Sequence, residues 1–337
     1  MSEVDFSLTY DEARRSFREA AAAAGASLDV YPIDAQDAEP LTIDVAAVGP
    51  DDASAIVTSS GVHGVEGFLG SAVQHALLRR LREADAPPGV RHVLIHGVNP
   101  FGFAQLRRFN EDNVDLNRNF LDDAADYRGA PPAYARLNGF LNPASPPSRL
   151  EPFAIQALWH MLRLGRQAMK QAVAGGQYEF PRGIFFGGHG PCKSTRIVFD
   201  NCDAWIGRST RIVHLDFHSG LGRFGEYKLL LAESARAATF PWYVATFGAE
   251  HVEPIDAPGA TAYDASGGFG EWMQRRFRDR DYHFAAVEFG TYNVARVLAA
   301  IRAENRAQHY TDKDSPRRRQ AKAELLECFC PRDPRWR

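Results

Sequence analysis

Short apolar runs alternate with helical patterns along most of this 337-residue chain, and this alternation constrains the fold more than any other feature. Four of the runs read as buried strands: Ala55–Ser59, Val90–Ile95, Arg211–Phe217 and His283–Phe289. Between the first two, apolar residues recur at helical spacing from Phe68 to Ala84. A buried strand, a helix and a second buried strand in this order are typical of a parallel sheet flanked by helices. The sequence therefore predicts the α/β class.

We predict a single domain over residues 1–337, because strand and helix patterns continue without a linker. Its expected parts are an N-terminal helix within 1–27, an insertion over 121–210 that borders the functional site, and a tail over 312–337. Within the insertion, residues 131–152 are dense in Pro, Asn and Ser, which indicates a surface connection before a helix over Phe153–Ala174.

Charge and composition exclude several classes of protein. Lys and Arg total 39 and Asp and Glu total 42, so the net charge of -3 gives no basic footprint for nucleic acid or an anionic membrane. Hydrophobic residues make up 45% of the chain, which is enough to build a buried core. We expect neither nucleic acid nor a membrane as a partner, and the sequence does not indicate an oligomeric state.

The N-terminal residues and the cysteines bear on the cellular compartment. Residues 1–18 carry acids and lack the apolar stretch of a secretory signal, so we expect a cytoplasmic location. The four cysteines form no Cys-x-x-Cys pair, which argues against a zinc site built on thiolates.

Two histidines and a glutamate stand where predicted strands end. His63 and Glu66 lie three residues apart in a glycine-rich turn after the first strand, and His218 closes the strand that begins at Arg211. In open α/β sheets ligands bind at these strand ends. Two imidazoles and one carboxylate match a catalytic zinc with its fourth position left for water. His214 is a rival ligand on the same face of the strand, although its interior position favours a buried core histidine.

Five motifs occur in one order between residues 63 and 289. They are His63-x-x-Glu66, the Asn99–Phe120 stretch NPFGFAQLRRFNEDNVDLNRNF, Asp216-Phe-His218-Ser, the Thr261–Trp272 block TAYDASGGFGEW, and Val287-Glu288-Phe289. Together they closely resemble the zinc carboxypeptidase superfamily, the carboxypeptidase A-like metallopeptidases. The arrangement is most similar to an uncharacterised bacterial branch of that superfamily.

The resemblance implies a fold and a metal site. The fold is a single α/β domain with a mixed, mostly parallel central sheet flanked by helices, as in the phosphorylase/hydrolase-like folds. His63, Glu66 and His218 match the ligands of one zinc ion per chain, and Glu288 matches the general base that acts on the zinc-activated water.

Five further residues acquire roles from the same resemblance. Arg108 matches the arginine that polarises the scissile carbonyl, and Asp115 matches the aspartate that orients the first zinc histidine. Asn117 and Arg118 match the clamp for the terminal carboxylate of the substrate. Tyr263 matches the mobile tyrosine that closes over this carboxylate. These roles are chemically sensible, because a guanidinium binds a carboxylate bidentately and stabilises a developing oxyanion. Neighbouring Arg107 has no such role and is expected to be a solvated charge or a contact for a phosphate-like anion.

The resulting interpretation is a zinc metallocarboxypeptidase that cleaves the C-terminal amide bond of a small peptide or acyl-amino acid with a free carboxylate. The alternative is an N-acyl amino acid deacylase resembling aspartoacylase or succinylglutamate desuccinylase. A non-haem iron oxygenase uses the same ligand types but usually on a β-barrel, which disagrees with the strand and helix alternation. A non-catalytic zinc-binding module is expected to lack Glu288 or Arg108, and this chain has both.

Overall fold

The computed structural model describes residues 6–34, 40–83, 89–148, 150–165, 175–257 and 266–337. In chain order its strands are β1 Ser27–Pro32, β2 Thr42–Val48, β3 Ser54–Ser60, β4 Val90–His96, β5 Arg211–Ser219, β6 Tyr227–Leu230, β7 Val252–Glu253 and β8 Asp281–Phe289. Within the described ranges they form one eight-stranded sheet with the order β1-β2-β4-β3-β5-β8-β6-β7.

The four central strands of this sheet, β4, β3, β5 and β8, are parallel to one another. On one side β2 and β1 continue the sheet in antiparallel pairs, and on the other β6 is antiparallel to β8 and parallel to β7. The predicted fold class, a single α/β domain with a mixed, mostly parallel sheet, is confirmed.

The described helices are α1 Tyr10–Ala23, α2 Gly67–Glu83, α3 Pro100–Ala104, α4 Pro132–Leu141, α5 Phe153–Leu164, α6 Lys193–Ile206, α7 Phe240–Phe247, α8 Phe269–Arg276, α9 Val294–Tyr310 and α10 Pro316–Phe329. Capping side chains define several of their starts. Thr9 accepts a hydrogen bond from the Glu12 amide at 3.2 Å, and Asn293 accepts one from the Arg296 amide at 3.0 Å. Not one of the described helices combines the length and the apolar character needed to span a bilayer.

Helices cover both faces of the sheet, because successive strand residues point to opposite sides. Val45 and Val93 belong to a core cluster that includes residues of α6 and α8. Their chain neighbours Ala46 and Leu94 belong to a second cluster, with residues of α1 and α2. Burial on both faces explains why the central strands are apolar runs in the sequence.

The structure differs from prediction at the segment that was expected to be a surface connection. Residues 131–152 contain α4, whose side chains Tyr134, Leu137 and Leu141 are buried. The helix starts at Pro132, a residue suited to a first turn, and its apolar residues have helical spacing. The density of Pro, Asn and Ser concealed this short pattern. The proposed limits of the insertion and of the tail stay predictions.

Candidate active site

The carboxyl ends of β3, β5 and β8 bring three of the sequence motifs together. After β3 the chain turns at Gly61, whose φ of +70° favours glycine, and reaches His63 and a short 3-10 helix over Gly64–Glu66. His218 stands near the end of β5, where it is aligned with Glu288 on β8. This edge of a parallel sheet is the usual ligand-binding edge, and the topology places all three motifs on it.

His63, Glu66 and His218 form a buried cluster whose candidate ligand atoms all lie within 4.8 Å of one another. Glu66 stands between the two imidazoles, because its Oε1 is 3.0 Å from His63 Nδ1 and its Oε2 is 3.0 Å from His218 Nδ1. The backbone N–H of Ser219 donates to the same Oε2 at 3.1 Å. A carboxylate between two imidazole nitrogens is a donor set for a divalent cation.

Each imidazole also faces a carboxylate outside the cluster. His218 Nε2 is 2.6 Å from Asp216 Oδ2, and His63 Nε2 is 3.2 Å from Asp115 Oδ1. Metal-binding histidines typically donate their second ring N–H to such a carboxylate, which orients the ring and raises its basicity. The residues present therefore fit a zinc ion that would be held by His63, Glu66 and His218.

The electrostatics of this cluster favour a positive charge. Burial alone raises the pKa of Glu66, but His63 and His218 outweigh it and lower this pKa. Burial also lowers the pKa of His218, yet Asp216 and Glu66 raise it well above its usual value. Both shifts have one cause, the attraction between carboxylates and imidazoles within the cluster, which outweighs burial in each case. Such an environment stabilises a bound proton or a bound metal cation.

Glu288 lies beside this cluster on the neighbouring strand. Its Oε1 accepts a hydrogen bond from the Leu221 amide at 2.8 Å, which orients the carboxyl group in the cleft. Burial, followed by the negative charge of Glu66, raises the pKa of Glu288 to about 8. A carboxyl group with a raised pKa at a cleft wall is suited to proton transfer near neutral pH.

Arg108 lies behind His63 and makes contacts within the cluster. Its Nε donates to Asp115 Oδ2 at 3.0 Å, and its Nη2 lies 2.6 Å from His63 Nε2. Among the described residues, those that line the cleft include His63 and Glu288 but not Arg108. In this arrangement the guanidinium supports Asp115. Burial raises the pKa of Asp115, but the charges of Arg108 and His63 outweigh burial and hold this pKa well below its usual value.

Asn117 and Arg118 lie side by side at the cleft, in the 3-10 helix Leu116–Arg118. The Asp115 carboxylate accepts a hydrogen bond from the backbone N–H of Asn117 at 3.1 Å and so caps this turn. Asn117 Oδ1 accepts from the backbone N–H of Phe269 at 2.9 Å. A guanidinium and an amide NH₂ at one wall supply donors for an anionic group.

A comparison with protein-family models matches residues 6–337 to the family described as "Protein of unknown function (DUF2817)". The chain belongs to this family. A comparison with curated proteins found no relative that matches the sequence.

Solved structures similar to this DUF2817 chain include carboxypeptidases. Carboxypeptidase A from Helicoverpa armigera is 13% identical, with 96% of this chain and 74% of that chain covered and a TM-score of 0.51. Bovine thrombin-activatable fibrinolysis inhibitor, in complex with tick carboxypeptidase inhibitor, is 11% identical, with 97% and 96% covered and a TM-score of 0.50. At these identities the likeness establishes the fold, which is that of the superfamily that the motifs resemble.

Tyr263 lies outside the described residues, so the predicted position of this tyrosine stays a prediction. The structure adds apolar residues to the cleft that the sequence analysis did not identify. They are Leu221, Leu230, Leu231, Ala232, Ile255, Phe284 and Ala286. No local signal distinguishes them from ordinary core residues, since each belongs to a strand or turn that the fold brings to the cleft.

The expectation for Arg107 was wrong. Its side chain is buried, and its Nε donates to Glu304 Oε1 on α9 at 3.0 Å. Asn113 and Asn305 accept from its Nη2 at 2.8 and 3.2 Å. The partner on α9 lies 197 residues away in the sequence, so local reasoning could not find it. This ion pair attaches the Arg107–Arg108 segment to the helical layer.

Proposed function

We propose that the protein is a zinc-dependent metallocarboxypeptidase that hydrolyses the C-terminal amide bond of a small peptide or acyl-amino acid. The observation that carries this proposal is the position of Glu288, a carboxyl group of raised pKa aligned with His218 beside the His63–Glu66–His218 cluster. A metal donor set with an adjacent proton acceptor is the arrangement that hydrolysis of an amide requires. One zinc ion per chain would bind through the three cluster residues.

Zinc, when bound, would supply Lewis-acid polarisation of a carbonyl and lower the pKa of a water molecule to about 7. Glu288 then accepts the proton of the attacking water and delivers it to the leaving nitrogen. Leu221 holds Oε1 of Glu288 through its backbone N–H, which fixes the carboxylate for this transfer. The ionised form of Glu288 would be favoured beside a bound cation, so this base would be available at neutral pH.

Arg118 and Asn117 are proposed to hold the terminal carboxylate of the substrate. Both line the same cleft as Glu288 and the two histidines. Apolar cleft residues such as Leu231 and Phe284 offer an apolar wall for the adjoining side chain and limit the access of water. We propose that Arg108 polarises the scissile carbonyl, for which its guanidinium would turn from Asp115 toward the cleft.

The test is a hydrolysis screen of the zinc-loaded protein with C-terminal dipeptides and N-acyl amino acids, each as the free acid and the amide. The proposal expects release of the C-terminal amino acid from free acids, and no release by the Glu288→Gln variant. Cleavage confined to N-acyl amino acids would support the deacylase alternative. Binding of zinc without hydrolysis of either substrate class would contradict the proposed activity. A cytoplasmic location, and the absence of nucleic acid and membrane partners, stay predictions from the sequence.

A further inference from the structure

A chain of buried hydrogen bonds continues from His218 through Asp216, which itself lines the cleft. Asp216 Oδ1 accepts from Ser59 Oγ at 2.6 Å, and Ser59 Oγ is 2.7 Å from His214 Nε2. His214 Nδ1 is in turn 2.7 Å from the hydroxyl of Tyr282. The chain crosses the three strands β3, β5 and β8, and the side chains of Ser59, His214 and Asp216 are almost wholly buried.

Strand register builds this chain. Ser59 and Asp216 are aligned partners across β3 and β5, so their side chains project to the same face. His214, Asp216 and His218 occupy alternate positions of β5 and share that face as well. The three β5 side chains therefore form one row, with the cluster histidine at the end nearest the cleft.

The donors of this chain can be assigned from the protons available. A carboxylate can only accept hydrogen bonds, so Ser59 donates its single hydroxyl hydrogen to Asp216. His214 Nε2 must then carry a hydrogen and donate to Ser59 Oγ. In a neutral imidazole this leaves Nδ1 as the acceptor for the Tyr282 hydroxyl. Every donor consequently points toward Asp216.

Burial keeps the outer members of this chain neutral. It lowers the pKa of His214 to about 4 and raises the pKa of Tyr282 well above its usual value. Asp216 receives one hydrogen bond on each carboxylate oxygen, from Ser59 on Oδ1 and from His218 on Oδ2. Its carboxylate is held from both sides.

We propose that Ser59 and His214 are positioning residues for the metal site, acting through Asp216 on the orientation of His218. With Asp216 held, the His218 ring keeps its Nε2–H on Oδ2, and its Nδ1 faces Glu66 within the cluster that would hold the metal. This explains the role of His214, which the sequence left as either a ligand or a core histidine. The inference rests on the zinc site of the proposed function, but not on the identity of the substrate.

The experiment compares Ser59→Ala with Ser60→Ala. Ser60 is an adjacent buried serine of β3, and its hydroxyl donates to Gln74 Oε1 at 2.8 Å rather than to Asp216. Both variants lose one buried hydroxyl, but only Ser59→Ala cuts the chain to Asp216. Zinc dissociation constants are measured by competition with a chromogenic chelator, and thermal unfolding of the zinc-free proteins is measured in parallel.

Ser59→Ala is expected to weaken zinc binding about 10-fold, the lower end of the range for groups that orient a metal-binding histidine. Ser60→Ala should bind zinc like wild type, and Ser59→Thr, which keeps the hydroxyl, should recover most of the affinity. Equal zinc affinities of Ser59→Ala and wild type would overturn the proposal. Failure of wild type to bind zinc would instead remove the proposed function itself.

A measurement on the wild-type protein covers the case in which Ser59→Ala does not fold. Nitrogen-15 NMR of histidine-labelled protein distinguishes the two neutral imidazole tautomers, and a His214→Gln variant assigns the resonance. The proposal expects His214 to be neutral, with its hydrogen on Nε2, at pH 7. A hydrogen on Nδ1 alone would overturn it, because Nε2 could not then donate to Ser59. A doubly protonated ring would also overturn it, because Nδ1 could not then accept from the Tyr282 hydroxyl.

Discussion

His218 and Glu288 are aligned partners on the adjacent parallel strands β5 and β8. One residue belongs to the candidate metal cluster and the other carries a carboxyl group of raised pKa, so the sheet register sets the spacing between the cluster and this carboxyl group. Because both side chains come from regular strands, this spacing is determined by backbone hydrogen bonds rather than by loop conformation.

Removal of either cluster histidine should abolish zinc binding. Purified wild-type protein is expected to contain about one zinc per chain, and His63→Ala and His218→Ala should contain little, because a three-residue donor set loses a ligand. His189→Ala is the control, since His189 is exposed and lies outside the cluster. Inductively coupled plasma mass spectrometry measures the metal content. Wild-type zinc content in both cluster variants would exclude the assigned ligands.

Glu288→Gln should keep the fold and the zinc but lose most of the hydrolysis. The amide still accepts the Leu221 N–H but cannot accept a proton from water, and acid–base assistance is typically worth about 10²–10⁴ in rate. Measurement of kcat together with zinc content and circular dichroism separates the chemistry from folding. A rate within a few-fold of wild type would mean that another group is the base.

The same substitution should change how stability depends on pH in the zinc-free protein. The folded-state pKa of Glu288 is about 8, above the unfolded value, so the folded state binds more protons between the two. Between these two pKa values, each unit of pH increase lowers the free energy of unfolding of the wild type by about 1.4 kcal/mol through this group, so stability falls as pH rises. Urea unfolding from pH 5 to 9 should show Glu288→Gln gaining stability relative to wild type toward high pH. Parallel pH profiles would contradict the raised pKa.

A comparison of the hydrolysis of free-acid and amidated substrates should show whether Arg118 binds the substrate carboxylate. Arg118→Ala should lower kcat/KM for the free acid far more than for the amide, because loss of a buried charge-assisted contact costs about 2–5 kcal/mol. Arg128→Ala, which changes an exposed arginine, is the matched control. Equal cleavage of free acids and amides by the wild type would argue against a carboxylate anchor.

The buried ion pair between Arg107 and Glu304 should matter for stability. Arg107→Ala leaves the Glu304 carboxylate buried without this partner, a change that typically costs about 3–5 kcal/mol. The double variant Arg107→Met/Glu304→Leu should be more stable than the single one, since it removes the buried carboxylate together with its arginine, and only the partly exposed Lys322 loses its 3.3 Å contact with Glu304. Urea denaturation measures both. A single variant as stable as wild type would show that the pair is not structural.

Local patterns predicted the central part of the fold well. The strands near Ala55–Ser59, Val90–Ile95 and Arg211–Phe217 occur close to the expected residues, since burial on both faces makes them apolar runs. The pattern missed α4, because Pro, Asn and Ser around it resemble loop composition. Strands β6 and β7, at one side of the sheet, are short, with four and two residues, and offer too little sequence for a periodicity.

Recognition of the cluster residues needed only a few neighbouring residues in each case. His63 and Glu66 share one turn, and His218 is marked by the strand that it closes. The residues behind them in the hydrogen-bond chain, Ser59, His214 and Tyr282, have no such local signal in the sequence. Ser59 is 155 residues from His214, and His214 is 68 residues from Tyr282. These groups meet because β3, β5 and β8 pair in one register, and that register is set by packing of apolar faces across the whole sheet. Short-range spacing therefore identified the candidate ligands and base, whereas long-range strand pairing determined which buried groups orient them.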